Sequence, residues 1–321
     1  MKKTLVAIVL LFTCIAGYAQ KPDTLIKKLD SLNKKTDSAG KQINNINDTA
    51  YNQSTKLTFS SYFILLGSDL KQEFTAPLHW KGKDWLHFGQ FAVIEGTLLL
   101  IDEPVQQYAL KLRNRNVVVQ NVSKYVTRFG GSYEAYALLA FGTYGAIFQK
   151  PKMVTTTLLA TQAYLTGGAM ESVLKFLTGR QRPSYYDPRT VEAEPKFHGP
   201  ISPSGKDANG NHINSSFPSG HTTVAFAAAT VFAMEYKDRP LVPIIAYSTA
   251  SLIGLSRITE NRHWISDVFA GAALGYFTGK LVVNNYHRYA KLKAPKQKKN
   301  TVSFNLQYNF GHVMPELVYR F

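Results

Sequence analysis

Ser216-Phe217-Pro218-Ser219-Gly220-His221-Thr222-Thr223 leads straight into 224–234, an apolar, alanine-rich run without proline or glycine. An uninterrupted run of that kind predicts a buried helix. The Pro-Ser-Gly turn therefore delivers Ser219, Gly220 and His221 to a helix N-terminus. Backbone N–H groups there lack intrahelical partners, and the helix dipole favours negative charge. Gly220 lets an anion come close to the backbone. A histidine beside a bound anion points to proton transfer. A serine N-cap followed by an unrelated histidine would explain the same eight residues, so the rest of the chain has to decide.

Working outward, further apolar runs lie at 62–66, 88–101 (interrupted by Glu95), 135–148, 153–170, 241–256 and 268–279. With the run after His221 they make six or seven helical segments with few strand signals between them. The expected fold is all-α, a bundle of about six core helices within 56–290. Most runs fall short of the roughly 18–20 uninterrupted apolar residues of a membrane span. Their small and hydroxyl residues suit packed membrane helices and a soluble core equally well. Mean hydropathy is -0.15, diluted by polar ends; the balance leans towards membrane association. The insert 184–217 holds Pro188, Pro195, Pro200, Pro203, Gly199, Gly205 and Gly210. A loop this long is commonly either functional or mobile; a lid over the site is one hypothesis for it, since it joins two of the motifs, but the sequence does not assign its role. Its Pro203-Ser204-Gly205-Lys206 is no Walker A loop, because the first glycine is missing and Asp207 follows the lysine.

The two ends differ from the middle. Lys2 and Lys3, the apolar stretch 5–12, then Ala16, Gly17 and Ala19 predict a signal peptide over 1–20 and export to a bacterial cell envelope, with an uncleaved anchor as the alternative. The single cysteine, Cys14, lies inside that segment. A processed chain would have none, which excludes disulfides and thiol catalysis. Residues 21–55 read as a polar stalk or linker. Leu25, Leu29, Leu32, Thr36, Ala39, Ile43 and Ile46 follow a weak heptad, a possible homo-oligomer contact through 25–46. In 291–321 a basic run precedes Val302, Phe304, Leu306, Tyr308 and Phe310, which alternate with polar residues. Gly311 breaks this strand pattern, and 317–321 is placed to pair back as a hairpin. Two strands cannot close an outer-membrane barrel. The net charge of +16 points to phosphorylated substrates or anionic lipid surfaces. Nothing resembling a nucleic-acid module accompanies it.

Three stretches carry the chemistry: Lys175 with Arg182 and Pro183; Pro218 to His221; and Ser256-Arg257, His263 and Asp267. Three cations, two imidazoles, one carboxylate and a helix N-terminus suit a tetrahedral oxyanion. On a helix, His263 and Asp267 would share a face, so the carboxylate could orient the ring. Each member has a blander reading. Lys175 and Arg182 could cap an apolar helix, His263 could be interfacial, and Asp267 could pair with Arg262. The combination is harder to dismiss than any member.

Together they resemble the type 2 phosphatidic acid phosphatase (PAP2) superfamily, with its bacterial acid phosphatases and vanadium haloperoxidases. The three-part signature stands complete: Lys175, six residues, Arg182-Pro183; Pro218-Ser219-Gly220-His221; Ser256-Arg257, five residues, His263, three residues, Asp267. The resemblance covers roughly residues 80–285 and implies roles for them. His263 is the expected nucleophile, forming a phosphohistidine. Asp267 orients it, and His221 protonates the leaving alcohol and then activates water. Lys175, Arg182 and Arg257 hold the phosphoryl oxygens, with backbone donors at Ser219 and Gly220. No metal or cofactor is implied, since the cations neutralise the charge. The implied function is an exported phosphatase acting on phosphate monoesters or pyrophosphates of membrane lipids. A soluble, broad-specificity periplasmic acid phosphatase, a vanadate-dependent haloperoxidase and a non-catalytic envelope protein are the alternatives.

Overall fold

The computed structural model describes residues 57–185, 194–201, 205–206, 210, 212–293, 301–309 and 312–320. The expected signal peptide and stalk lie outside these residues, as does most of the basic run. Among the described residues there are nine α-helices: α1 (Phe59–Thr75), α2 (Gly82–Leu100), α3 (Asp102–Arg115), α4 (Val117–Val126), α5 (Ser132–Ile147), α6 (Pro151–Thr178), α7 (Gly220–Glu235), α8 (Leu241–Thr259) and α9 (Ile265–Lys293). Seven correspond to the apolar runs. The two between 102 and 126 were not read from the sequence: α3 is rich in charged and amide side chains, and α4 is only ten residues long.

Local chemistry sets several helix ends. Thr58 and Ser61 form a reciprocal capping box at the start of α1. Asn116 caps α4 by accepting from the N–H groups of Val118 and Val119. Pro151 opens α6, and Gly179, at φ 52°, closes it in the left-handed conformation.

The centre of the bundle is α7, which packs on α6, α8 and α9. Its alanines Ala227 and Ala228 join Leu159, Ala160, Ala163, Val231, Val282, Val283 and Tyr286 in the main apolar cluster. The approach to α9 is close enough to need glycine. A Cβ on Gly275 would stand 2.2 Å from the Thr223 carbonyl oxygen, and one on Gly271 or Gly279 2.6 Å from those of Ser219 and Ala227. Small residues spaced by four let two helix backbones meet in this way.

The outer helices are sided the opposite way from those of a water-soluble bundle. On α1 the buried residues include Ser61, Ser68, Asp69, Gln72 and Glu73, while Phe59 and Phe63 face outward. On α2 the one fully buried side chain is Glu95, and Trp85, Leu86, Val93 and Ile94 are exposed. Some inward polar groups find partners across the bundle, Asn285 donating to Asp69 at 2.7 Å and His287 meeting Glu235 at 2.8 Å, while the buried Glu95 carboxylate has none among the described residues.

The C-terminal segment is a two-stranded antiparallel hairpin, β1 (Thr301–Asn309) with β2 (His312–Arg320), in register from Thr301 opposite Arg320 to Asn309 opposite His312. The second strand starts five residues earlier than the sequence reading placed it. Pro315 sits opposite Leu306, and this proline masked the strand pattern.

Candidate active site

All the signature residues meet at one end of the α6–α9 core. Lys175 comes from the last turn of α6, Arg182 from the segment that follows, and His221 from the first turn of α7. Arg257 comes from the end of α8 and Asp267 from the first turn of α9.

His263 is 1% exposed and lies in the turn before α9, not on a helix. The expectation that it shares a helical face with Asp267 is therefore corrected. Its Nδ1 donates to the Ser216 carbonyl at 2.8 Å, nearer than the Asp267 carboxylate at 3.5 Å. That bond leaves Nε2 unprotonated, and Nε2 accepts an N–H of the Arg182 guanidinium at 3.4 Å. Burial, then the charges of Arg182, Arg257 and Lys175, hold this imidazole well below its usual pKa. A neutral ring with an unprotonated nitrogen inside a cationic cage is the form a nucleophile needs.

Asp267 acts through its neighbours. One carboxylate oxygen accepts the Trp264 N–H at 2.8 Å and the Ser216 hydroxyl. It thereby fixes the two residues that hold His263. The other oxygen pairs with Arg180 at 2.6 Å, and not with Arg262 as one sequence reading had it. Arg180 is fully buried, binds Asp102 as well, and lies over the Phe197 ring at 4.6 Å. Asp102 in turn accepts the Ser266 N–H at 3.1 Å.

Arg182 is held by the end of the insert. Its Nε reaches the His212 carbonyl at 3.2 Å, and its Nη2 the Ser215 carbonyl at 3.0 Å. Arg257 donates to the Thr127 hydroxyl, and its buried Nε has no partner among the described residues. Lys175 pairs with Glu171 one turn earlier on α6. His221 packs against the turn between α4 and α5: a Cβ on Gly131 would come within 3.3 Å of its Nε2. Burial and the cations Arg257, Lys175, Arg182 and Arg262 push its pKa down to about 3.

The expectation for Ser219 is corrected. Its backbone N–H donates to the Asp267 carbonyl at 2.9 Å, and its hydroxyl accepts from Thr222 at 2.9 Å. It ties the start of α7 to the start of α9 and offers no free backbone donor. Among the described residues, the N–H groups of Gly220 and His221 have no backbone partner outside the helix. Sequence reasoning missed Arg180, Asp102, Ser216, Thr127 and Glu171. Arg180 lay inside the Lys175–Arg182 spacing and Ser216 beside the turn, but Asp102 and Thr127 carry no local signal.

The class defined here is a helical bundle with a cationic oxyanion cage built around two neutral histidines. The model of the PAP2 superfamily matches residues 156–291 of this chain. It is 49% identical to the Lipid A 1-phosphatase of Porphyromonas gingivalis over 92 residues, 28% of this chain and 19% of that protein. It is 28% identical to Lipid phosphate phosphatase 1 of Arabidopsis thaliana over 163 residues, 42% of this chain and 49% of that one. The chain thus spans a fifth to a half of the length of these two relatives. A crystal structure of a transmembrane PAP2-type phosphatidylglycerolphosphate phosphatase from Bacillus subtilis is 20% identical with a TM-score of 0.45, covering 66% of this chain and 96% of that one.

Proposed function

We propose that this chain is a membrane-embedded lipid phosphatase of the cell envelope. In this reading 1–20 is its signal peptide and 56–290 its catalytic domain, and it releases phosphate through a phosphohistidine at His263 without a metal ion. The observation that carries the chemistry is the placement of His263. Its Nδ1–H is engaged by Ser216, and its unprotonated Nε2 faces Arg182 within the cage. Nε2 attacks phosphorus, the bond to the leaving oxygen breaks, and His221 gives that oxygen a proton. His221 then takes a proton from water, whose oxygen attacks the phosphohistidine and frees inorganic phosphate. Lys175, Arg182 and Arg257, with the Gly220 N–H, neutralise the phosphoryl oxygens throughout. The charge of a bound phosphoryl group offsets the cations that depress His221, so substrate itself readies the proton donor.

Membrane embedding rests on the reversed sidedness of α1 and α2. A helix in water buries its apolar face; one that buries Asp and Gln while presenting Phe and Trp outward fits an apolar surrounding. Among the described helices one, α8, is long and apolar enough to cross a membrane by length and composition, with a mean hydropathy of 1.5 over its best window. Leu241, Ile244, Ile245, Leu252 and Leu255 face outward on it. The catalytic groups sit at the ends of the core helices. The names of the relatives and the apolar belt favour a phosphorylated lipid, lipid A 1-phosphate first, over a small soluble ester.

The test is phosphate release by the detergent-solubilised chain with a chelator present. Substrates would be a lipid A 1-phosphate, phosphatidic acid, an isoprenyl pyrophosphate and an aryl phosphate, each with a His263→Ala control. Release from a lipid that the control lacks supports the proposal. Release only from the aryl phosphate, or only after metal is added, refutes it.

A further inference from the structure

The phosphoryl cage already contains an anion. Glu171 lies one helical turn before Lys175 on α6, is 7% exposed, and pairs through Oε1 with the Lys175 ammonium. The same oxygen lies against Gly220, the first residue of α7. A Cβ there would stand 2.4 Å from Glu171 Oε1, 2.9 Å from its Cδ and 3.4 Å from Lys175 Nζ. Carboxylate, ammonium and helix N-terminus therefore converge on one point. The absence of a side chain on Gly220 makes room for a group of this protein. Among the described residues, the other carboxylate oxygen receives the Ser172 hydroxyl alone, at 3.3 Å.

We propose that Glu171 is a specificity-determining internal anion. It occupies the α7 side of the cage when no substrate is bound, and it limits how tightly the cage holds inorganic phosphate. This rests on the phosphatase reading above. Lys175 and the α7 N-terminus are two of the features the phosphoryl group would use, and a carboxylate occupies both. An incoming phosphoryl dianion must displace that carboxylate or bind beside a like charge. Without it, Lys175 would lose its paired carboxylate while still standing beside the charges of Arg182 and Arg257, and product release would slow. Glu171 therefore keeps the cage cationic enough to bind an ester yet able to let phosphate go.

A purely structural role gives the opposite sign. If Glu171 only held Lys175 in place, removing its charge would loosen the lysine and weaken anion binding. The experiment measures vanadate and inorganic phosphate binding by calorimetry, and their inhibition constants against phosphate release, for the full chain in detergent. The variants are Glu171→Gln, which keeps the shape, and Glu171→Ala, which removes the group; either one reads the proposal if the other fails to fold. Two unit charges about 5 Å apart at an effective dielectric near 20 interact strongly enough that, even after relaxation, the expected gain is at least about tenfold tighter vanadate and phosphate binding. Product inhibition should deepen in parallel, with kcat falling more than KM rises. Unchanged or weaker anion binding in the folded variants overturns the proposal. Calorimetry needs no turnover, so a wild-type chain that binds vanadate but releases no phosphate would sink the phosphatase reading and leave this inference to be decided by the variants.

Discussion

Arg180→Met is the perturbation whose consequences the structure specifies most fully. Arg180 is completely buried and bridges Asp102 and Asp267, themselves completely buried. Methionine keeps much of the volume and removes the charge, leaving two carboxylates without a cation. Breaking a buried ion pair from one side costs about 3–5 kcal/mol, because the desolvated partner charge stays behind. For a folded unit of this size that corresponds to a fall in Tm of about 6–20 °C. Catalysis should suffer separately. Asp267 fixes Ser216 and Trp264, which hold His263. A shift of about 1 Å in a reacting group costs about a hundredfold. Thermal unfolding followed by tryptophan fluorescence in detergent reads the first effect, and kcat/KM on a lipid phosphate reads the second. Asp102→Asn in the same chain should restore part of the lost stability, a coupling of about 1–3 kcal/mol. A Tm within about 3 °C of wild type together with a kcat/KM within about threefold would refute the role given to this network.

Four other outcomes are expected. His263→Ala should lower kcat by about 10⁴-fold or more and Asp267→Asn by clearly less, since orientation is a smaller contribution than the nucleophile itself; equal losses would argue against the assignment. Gly220→Ala places a Cβ 2.4 Å from the Glu171 carboxylate and should lower kcat/KM by about tenfold while leaving Tm nearly unchanged, which parallel assays would check. Gly275→Ala, with its Cβ 2.2 Å from the Thr223 carbonyl, should push α9 off α7 and destabilise by about 1–3 kcal/mol, visible as a lower Tm. His221 is depressed to about 3 and His263 well below its usual value, so both are neutral in the empty fold but protonate in the unfolded chain below about pH 6.5. The unfolded state then binds more protons, so stability falls as pH drops below about 6.5, by up to about 1.4 kcal/mol per pH unit for each histidine. A Tm series from pH 7 to 5 should be steeper for wild type than for His221→Asn, and equal slopes would contradict this.

Much of this site could be read in the chain because its chemistry sits in short, spaced stretches. Lys175, Arg182, His221, Arg257 and His263 all reach the same cage. Apolar runs marked seven helices because each of these helices carries a dense stretch of apolar side chains, even where a residue such as Glu95 interrupts it. What could not be read depends on tertiary contact. Asp102 lies 165 residues from Asp267, and no periodicity links them; their partnership exists only because Arg180 stands between. The Ser219 N–H looked free because a helix N-terminus usually leaves it so, but the close α7–α9 approach brings the Asp267 carbonyl to it. The siding of α1 was equally hidden. Its sequence mixes Phe with Asp, Gln and Glu, and the contacts with α6 and α9 turn the polar residues inward.

The central claim is a covalent phosphoryl group on His263, and the most direct measurement is to trap it. The chain would be mixed with lipid substrate carrying ³²P in the scissile phosphate, quenched in alkali within one turnover and digested. Phosphohistidine survives alkali and is lost in acid. The account predicts an alkali-stable, acid-labile label on the peptide containing His263, absent from His263→Ala and prolonged in His221→Asn, which would lack the base for the second step. Normal turnover with no label on that peptide, or the label on another residue, would contradict it.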